Sequence, residues 1–274
     1  MTDESSPRFP SEIAAHYDEG IEQPRLDRGS GRLEFARTCL ILERVLPPPP
    51  ARVLDVGGGP GRYAEWLTAR GYDVQLIDAV PLHVEQARAL SNGYTAALGD
   101  ARALHEPDAS HDAVLLFGPL YHLTEEADRR RALLEAGRVV RPGGPVVVAA
   151  ISRFASLLDG LWRHLLDDPA FELIVERDLR EGQHRNPENR RHWFTTAYLH
   201  HPDELAQEVR DAGLTLDGVL AVEGPGWLLP DLEARWEDER GRRQLLDAIA
   251  RIERESSTMG ASAHLLAPAR RPIE

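Results

Sequence analysis

The sequence predicts an α/β fold, a mostly parallel sheet with helices on both faces. Residues 52–78 read as strand, glycine turn, helix and second strand: Val53, Leu54 and Val56 form a short apolar run, Ala64, Trp66 and Leu67 follow at helical spacing, and Val74, Leu76 and Ile77 form another run. Residues 112–118 are almost continuously apolar, as a central strand buried on both faces must be. The 274 residues, 42% apolar and 28% charged, suffice for one large domain with an ample core and additions.

In chain order, residues 1–11 are polar, with too little apolar surface to pack, and are expected to be a disordered tail. A short helix is expected over 13–17 and a longer one over 33–46, with Leu33, Ala36, Leu40 and Val45 broadly on one side; the prolines at 47–50 stop it. Gly71 ends the helix after the first strand. Pro81 then opens a helix to Leu90, since proline suits a first helical turn. Residues 94–98 are the third strand. Thr124 is expected to cap a helix with acids in its first turn and arginines near its end, an order that suits the helix dipole. Gly143 and Gly144 turn into a fifth strand over 145–151.

Residues 152–201 form a long insertion, with an amphipathic helix carrying Leu157, Leu158, Leu161 and Trp162 and a charged, exposed connector over 178–191. It is expected to be a lid over an acceptor pocket, with Trp193, Phe194 and Tyr198 as its aromatic wall. A helix from Pro202 to Gly213, a sixth strand over 214–222, a helix over 231–254 with Leu245, Leu246, Ile249 and Ile252 buried, and a last strand over 262–267 complete the chain. The expected division is a tail and helical cover at 1–50, a core at 51–152, a lid at 153–200 and the rest of the sheet at 201–274.

Glycines at 57, 59 and 61 let the backbone bend sharply and let a ligand lie against the main chain at a helix amino end. Asp78, at the tip of the neighbouring strand, is placed to accept ribose hydroxyls. Together they point to a nucleoside-containing ligand. Gly59-Pro-Gly61-Arg-Tyr-Ala64 also satisfies the dinucleotide pattern, which alone is a weak indication.

The pattern Asp55-x-Gly57-x-Gly59-x-Gly61, with the acid inside the strand, resembles the first motif of class I S-adenosylmethionine-dependent methyltransferases. The resemblance continues through Asp78, Gly99-Asp100-Ala101, residues 112–118 and Arg141-Pro-Gly-Gly144, and covers roughly residues 50–152. It implies a Rossmann-like, seven-stranded sheet of order 3-2-1-4-5-7-6 with the seventh strand antiparallel. It implies S-adenosylmethionine as cofactor and S-adenosylhomocysteine as product. Asp55 and the loop Gly57, Gly58, Gly59 and Gly61 would cradle the methionine part, Asp78 the ribose and Asp100 the adenine, with Ala101 and Phe117 also beside the cofactor. Helices ahead of the first strand cover the cofactor in this family, which draws attention to Tyr17, Glu22, Arg25 and Arg37; Arg25 and Arg37 are candidates for its carboxylate.

Tyr121 and His122 follow the fourth strand at the carboxyl edge of the sheet, where open α/β folds place substrates. With Tyr17 they are the candidate catalytic residues, because a histidine titrates near neutral pH and can deprotonate a nucleophile.

All 32 basic residues are arginine, and the net charge is −13. That field repels polyanions, so nucleic acid is not the expected partner. Cys39 is the sole cysteine, inside an apolar helical run, and the eleven histidines show no zinc spacing, so no metal is expected. No run reaches the length of a membrane helix, and residues 1–10 are unlike a signal peptide; a cytoplasmic location is expected. The expected function is methyl transfer to a small-molecule acceptor in secondary metabolism, possible acceptors including aromatic compounds, with a homodimer also possible. The alternatives are a nicotinamide-dependent oxidoreductase and a non-catalytic binder of S-adenosylmethionine.

Overall fold

The computed structural model describes residues 13, 17, 25–190 and 192–273. Its centre is five parallel strands: β1 (Arg52–Val56), β2 (Asp73–Asp78), β3 (Thr95–Leu98), β4 (Ala113–Leu116) and β5 (Pro145–Ser152). They lie in the order β3-β2-β1-β4-β5. The α-helices with described bounds up to β5 are α1 (Gly29–Val45), α2 (Arg62–Thr68), α3 (Pro81–Leu90), the single turn α4 (Pro119–His122) and α5 (Glu126–Val139).

Side chains alternate along each strand, so both faces need cover. Leu54, Val56, Val114, Leu116, Val146 and Val148 pack against Ala132, Leu133, Ala136 and Val139 of α5. Val53, Val74, Leu76, Ala113, Leu115 and Val147 pack against Ile41 and Leu42 of α1, Ala64 and Leu67 of α2, and Ala87 of α3. The carboxyl ends of the strands are left for loops.

The insertion contributes α6 (Ala155–Trp162), α7 (Pro169–Glu181), β6 (Gln183–His184) and β7 (Ala197–His200). β7 pairs in parallel with Ile151 and Ser152, beyond the point where β4 stops pairing with β5 at Val148. The hairpin is thereby fixed to the carboxyl end of the sheet. The expected exposed connector at 178–191 is corrected at its start: α7 runs through Asp178, which is fully buried and meets His184 Nδ1 at 2.7 Å. Asp178 follows Phe171, Ile174 and Val175 at helical spacing, so the periodicity turns it inward, where the histidine partners one of its carboxylate oxygens.

After α8 (Pro202–Asp211) come β8 (Thr215–Leu216), β9 (Leu220–Ala221), α9 (Leu232–Glu237), α10 (Glu239–Ile252), α11 (Ser256–Met259) and β10 (His264–Arg270). β10 lies antiparallel between β5 and the pair β8 and β9, which is the order 3-2-1-4-5-7-6 implied by the resemblance. The expected sixth strand is broken in two. Pro268 of β10 accepts a bond from Asp217 but has no N–H to return, and Gly218 takes φ +130°.

Thr124 does not cap α5; Glu125 precedes the helix, and the Thr124 carbonyl accepts from Arg129 at 2.9 Å. Ile13 and Tyr17 are helical and buried, while the expected tail at 1–11 and Glu22 lie outside the described residues. Among the described residues no helix is long and apolar enough to cross a membrane.

Candidate functional site

β1 runs into the glycine loop between β2 and β4. Gly57 takes φ +78°, and a β-carbon there would lie 2.2 Å from the Phe117 carbonyl oxygen. Gly58 has no room either, because its β-carbon would meet Asp55 Oδ2 at 2.6 Å. The loop is bonded to β2 by Gly57 N–H to the Ile77 carbonyl at 2.7 Å and Gly59 N–H to Asp78 Oδ2 at 2.8 Å. Strand, loop and acid are thus one rigid unit.

Two chambers meet at this loop. The larger, of about 390 Å³, lies over the ends of β2, β3 and β4 and is lined among others by Tyr17, Asp78, His83, Asp100, Ala101, Tyr121 and His122. The smaller, of about 70 Å³, lies between α1 and the sheet and is lined by residues including Arg25, Glu34, Gly58, Tyr63, Phe117 and His264. Gly57, Gly59 and Tyr121 border both.

The structure brings together most of the candidate residues. Asp78 is buried at the tip of β2, its Oδ1 taking Val80 N–H at 2.8 Å and His83 Nδ1 at 3.2 Å. Asp100 borders the larger chamber with its carboxylate gripped by Arg102, whose Nη2 lies 2.6 Å from Oδ2. Burial opposes the charge on Asp100, but hydrogen bonds and the guanidinium of Arg102 hold its carboxyl below the usual range. Phe117 walls the smaller chamber and packs edge-on against Tyr63.

Tyr17, Tyr121 and His122 also converge. Tyr17 Oη lies 2.6 Å from His122 Nε2, and His122 Nδ1 faces the Thr196 carbonyl at 3.4 Å. A carbonyl only accepts, so these partners put the proton on Nδ1 and leave Nε2 to accept the Tyr17 hydroxyl. Phe194, from the insertion, stacks on His122 at 6.0 Å.

Other candidates are placed elsewhere. Arg37 is buried in the core, not at a chamber: its Nε donates to the Val222 carbonyl and its Nη2 to Glu253 at 2.5 Å, because that sunken carboxylate needs compensation. Asp55 borders neither chamber; it sits sealed under Gly58, with no hydrogen-bond partner for either oxygen among the described residues. Burial, and then the charge on Asp78, push its carboxyl up to about 7. At Gly61 the vacant side-chain space is filled by Tyr94, whose Oη would lie 2.3 Å from an added β-carbon. Within the expected aromatic wall, Trp193 packs on Phe171 at 5.1 Å and Tyr198 lies under the Arg129 guanidinium at 3.7 Å; Phe194 alone of the three reaches His122.

Arg37→Ala is expected to destabilise the fold by about 3 kcal/mol, since among the described residues Glu253 then keeps only Arg44. Thermal unfolding would measure the loss, and ligand affinity of the folded protein should not move. A matching loss of affinity would return Arg37 to the site.

Two features of the site escaped the sequence reading. His83 stands five residues after Asp78, and that spacing in the first turn of a helix was its only indication. The other is a charge cluster at the smaller chamber. Arg25 Nη1 meets Glu34 Oε2 at 2.5 Å, and His264 Nδ1 meets Glu223 Oε1 at 2.6 Å and Glu34 Oε2 at 3.7 Å. Burial opposes charge on His264, yet Glu34 and Glu223 lift it to about 9, so it is an imidazolium at neutral pH. The ligand atoms of Glu34, Glu223 and His264 lie within 4.8 Å of one another, and each carboxylate is already bound, by Arg25 or by Ser262.

The family described as methyltransferase domain matches residues 53–144, the span from β1 to the turn before β5. An uncharacterised methyltransferase of Mycobacterium tuberculosis is 38% identical over 103 residues, 38% of this chain and 41% of that one. The ubiquinone biosynthesis O-methyltransferase of Xylella fastidiosa is 31% identical over 185 residues, 65% of this chain and 66% of its own. Among solved structures, a SAM-dependent methyltransferase of Methanosarcina mazei superposes with a TM-score of 0.57 at 20% identity, over 85% of this chain and 98% of that one. Residues 53–144 thus belong to the methyltransferase-domain family, and the fold around them is the one seen in S-adenosylmethionine-dependent methyltransferases. The chain spans about two fifths of the length of the curated relatives it matches first.

Proposed function

We propose that the chain transfers a methyl group from S-adenosylmethionine to a small-molecule acceptor. The observation that carries this reading is the pair of chambers joined at Gly57 and Gly59: the larger suits an adenosine beside Asp78, the smaller an amino-acid head beside Arg25 and Glu34. When bound, the cofactor supplies a methyl group already activated by its sulfonium, so little covalent work falls to the protein. The glycine loop and Asp78 align it, and Tyr17, Tyr121 and Phe194 exclude water around His122. For a hydroxyl acceptor, Tyr17 Oη takes the proton as its own passes to His122 Nε2, with Nδ1 steadied by Thr196. An aromatic hydroxyl fits these ring-lined walls, and the Xylella relative is named for O-methylation. Residues 153–200 serve as the cover over that acceptor side.

Calorimetry with S-adenosylhomocysteine tests the reading. The wild type should bind it, Asp78→Ala should weaken it by at least about tenfold, as for a lost buried polar partner, and NAD should not bind. NAD binding in place of S-adenosylhomocysteine would mean a dinucleotide site. Tight binding with no turnover of any acceptor would instead favour a non-catalytic binder.

Arg25→Gln should weaken S-adenosylhomocysteine about tenfold and leave methylthioadenosine, which lacks the amino-acid end, nearly unaffected. Equal loss for both ligands would remove Arg25 from the amino-acid subsite.

A further inference from the structure

We propose that His83 is a second ribose-recognition residue, sharing with Asp78 the two vicinal hydroxyls of the adenosine ligand. The inference rests on the methyl-transfer reading and adds to it a residue that determines how the sugar is held.

The argument begins with the acceptor capacity of Asp78. Its Oδ1 already takes the Val80 N–H at 2.8 Å and His83 Nδ1 at 3.2 Å, and its Oδ2 takes the Gly59 N–H at 2.8 Å. A carboxylate offers about four lone-pair sites, so roughly one remains. A ribose presents two hydroxyls side by side. One can use the remaining site, and the other needs a partner.

The imidazole of His83 supplies that partner. It stands in the first turn of α3, is 4% exposed and forms part of the wall of the larger chamber. Because Asp78 only accepts, Nδ1 carries the hydrogen between them and Nε2 is the open nitrogen. Nε2 is sealed from solvent and has no hydrogen-bond partner among the described residues. Buried nitrogens are rarely left in that condition, and a ligand hydroxyl relieves it in either protonation state, since a hydroxyl both donates and accepts.

The placement also ties the sugar to the proposed chemistry. The ring of Tyr17 packs edge-to-face on His83, with centroids 4.7 Å apart, while its hydroxyl holds His122. A ribose seated on Asp78 and His83 therefore touches the same tyrosine that faces the acceptor. A purely structural His83 would anchor the start of α3 and do nothing more.

The experiment compares calorimetric binding of S-adenosylhomocysteine and its 2′-deoxy and 3′-deoxy analogues to the wild type, His83→Asn and His83→Leu. His83→Asn keeps an N–H for Asp78 and lacks the distal nitrogen, which guards against a variant that fails to fold; thermal unfolding checks both. In the wild type each missing hydroxyl should weaken binding about tenfold. In both variants the parent ligand should weaken by a similar factor, and one of the two deoxy analogues should bind as well as the parent. Penalties for both analogues that are the same in wild type and variants would overturn the proposal and give both hydroxyls to Asp78. A wild type that binds no adenosyl ligand would overturn the methyl-transfer reading itself, a result distinct from any difference among the variants.

Discussion

Gly57→Ala is expected to lower stability by about 2–5 kcal/mol and to abolish measurable S-adenosylhomocysteine binding. Two independent effects add. Gly57 adopts φ +78°, where a β-carbon strains the backbone by about 1–2 kcal/mol. The new methyl would also lie 2.2 Å from the Phe117 carbonyl oxygen and 2.5 Å from Pro119 Cδ. Phe117 N–H is bonded to the Val56 carbonyl, so neither wall of the overlap is the free end of a flexible side chain. The turn from β4 into α4 must shift, and with it Tyr121 and His122. Gly213→Ala is the control, because Gly213 has φ +79° and nothing within 4 Å of an added β-carbon. It should show the backbone strain alone and keep its affinity. If thermal unfolding places the two variants together, the contact with Phe117 is not what requires glycine at 57.

That contrast shows what a single sequence reveals. Glycine spacing and apolar runs are local, and they carried the strands, the loop and Asp78. The partner of a long side chain is set by tertiary approach. Arg25 and Arg37 were equivalent in sequence, yet Arg25 opens on a chamber with Glu34 while Arg37 runs to Val222 and Glu253, over two hundred residues along the chain in the second case. Asp178 failed for the opposite reason: its charge suggested solvent, and its helical phase, equally legible, pointed inward. The sheet order came from the resemblance, because no periodicity says that β10 inserts beside β5. His83 had no distinguishing pattern, and its interest arises only when Asp78 is seen to be nearly saturated by Gly59, Val80 and His83 itself.

Asp55→Asn is expected to stabilise the protein above neutral pH and to flatten its pH dependence. Both carboxylate oxygens of Asp55 are buried without a hydrogen-bond partner among the described residues, and burial followed by repulsion from Asp78 raises its carboxyl from the ordinary value near 4 to about 7. Between those values the folded chain binds a proton that the unfolded chain has lost, so stability falls as pH rises across that window. Below about pH 4 both states are protonated and Asp55 carries no penalty; above about pH 7 the penalty reaches about 4 kcal/mol. Asparagine has the same shape and no charge at any pH. Urea unfolding from pH 4 to 8.5 should therefore give curves that meet at the acid end and diverge steadily, with the variant above. Curves that stay parallel would mean that Asp55 ionises without penalty, with the loop amides turned onto its carboxylate in solution. The acid would then be bonded into the glycine cradle, and its place in the motif would follow from holding the loop rather than from touching the ligand.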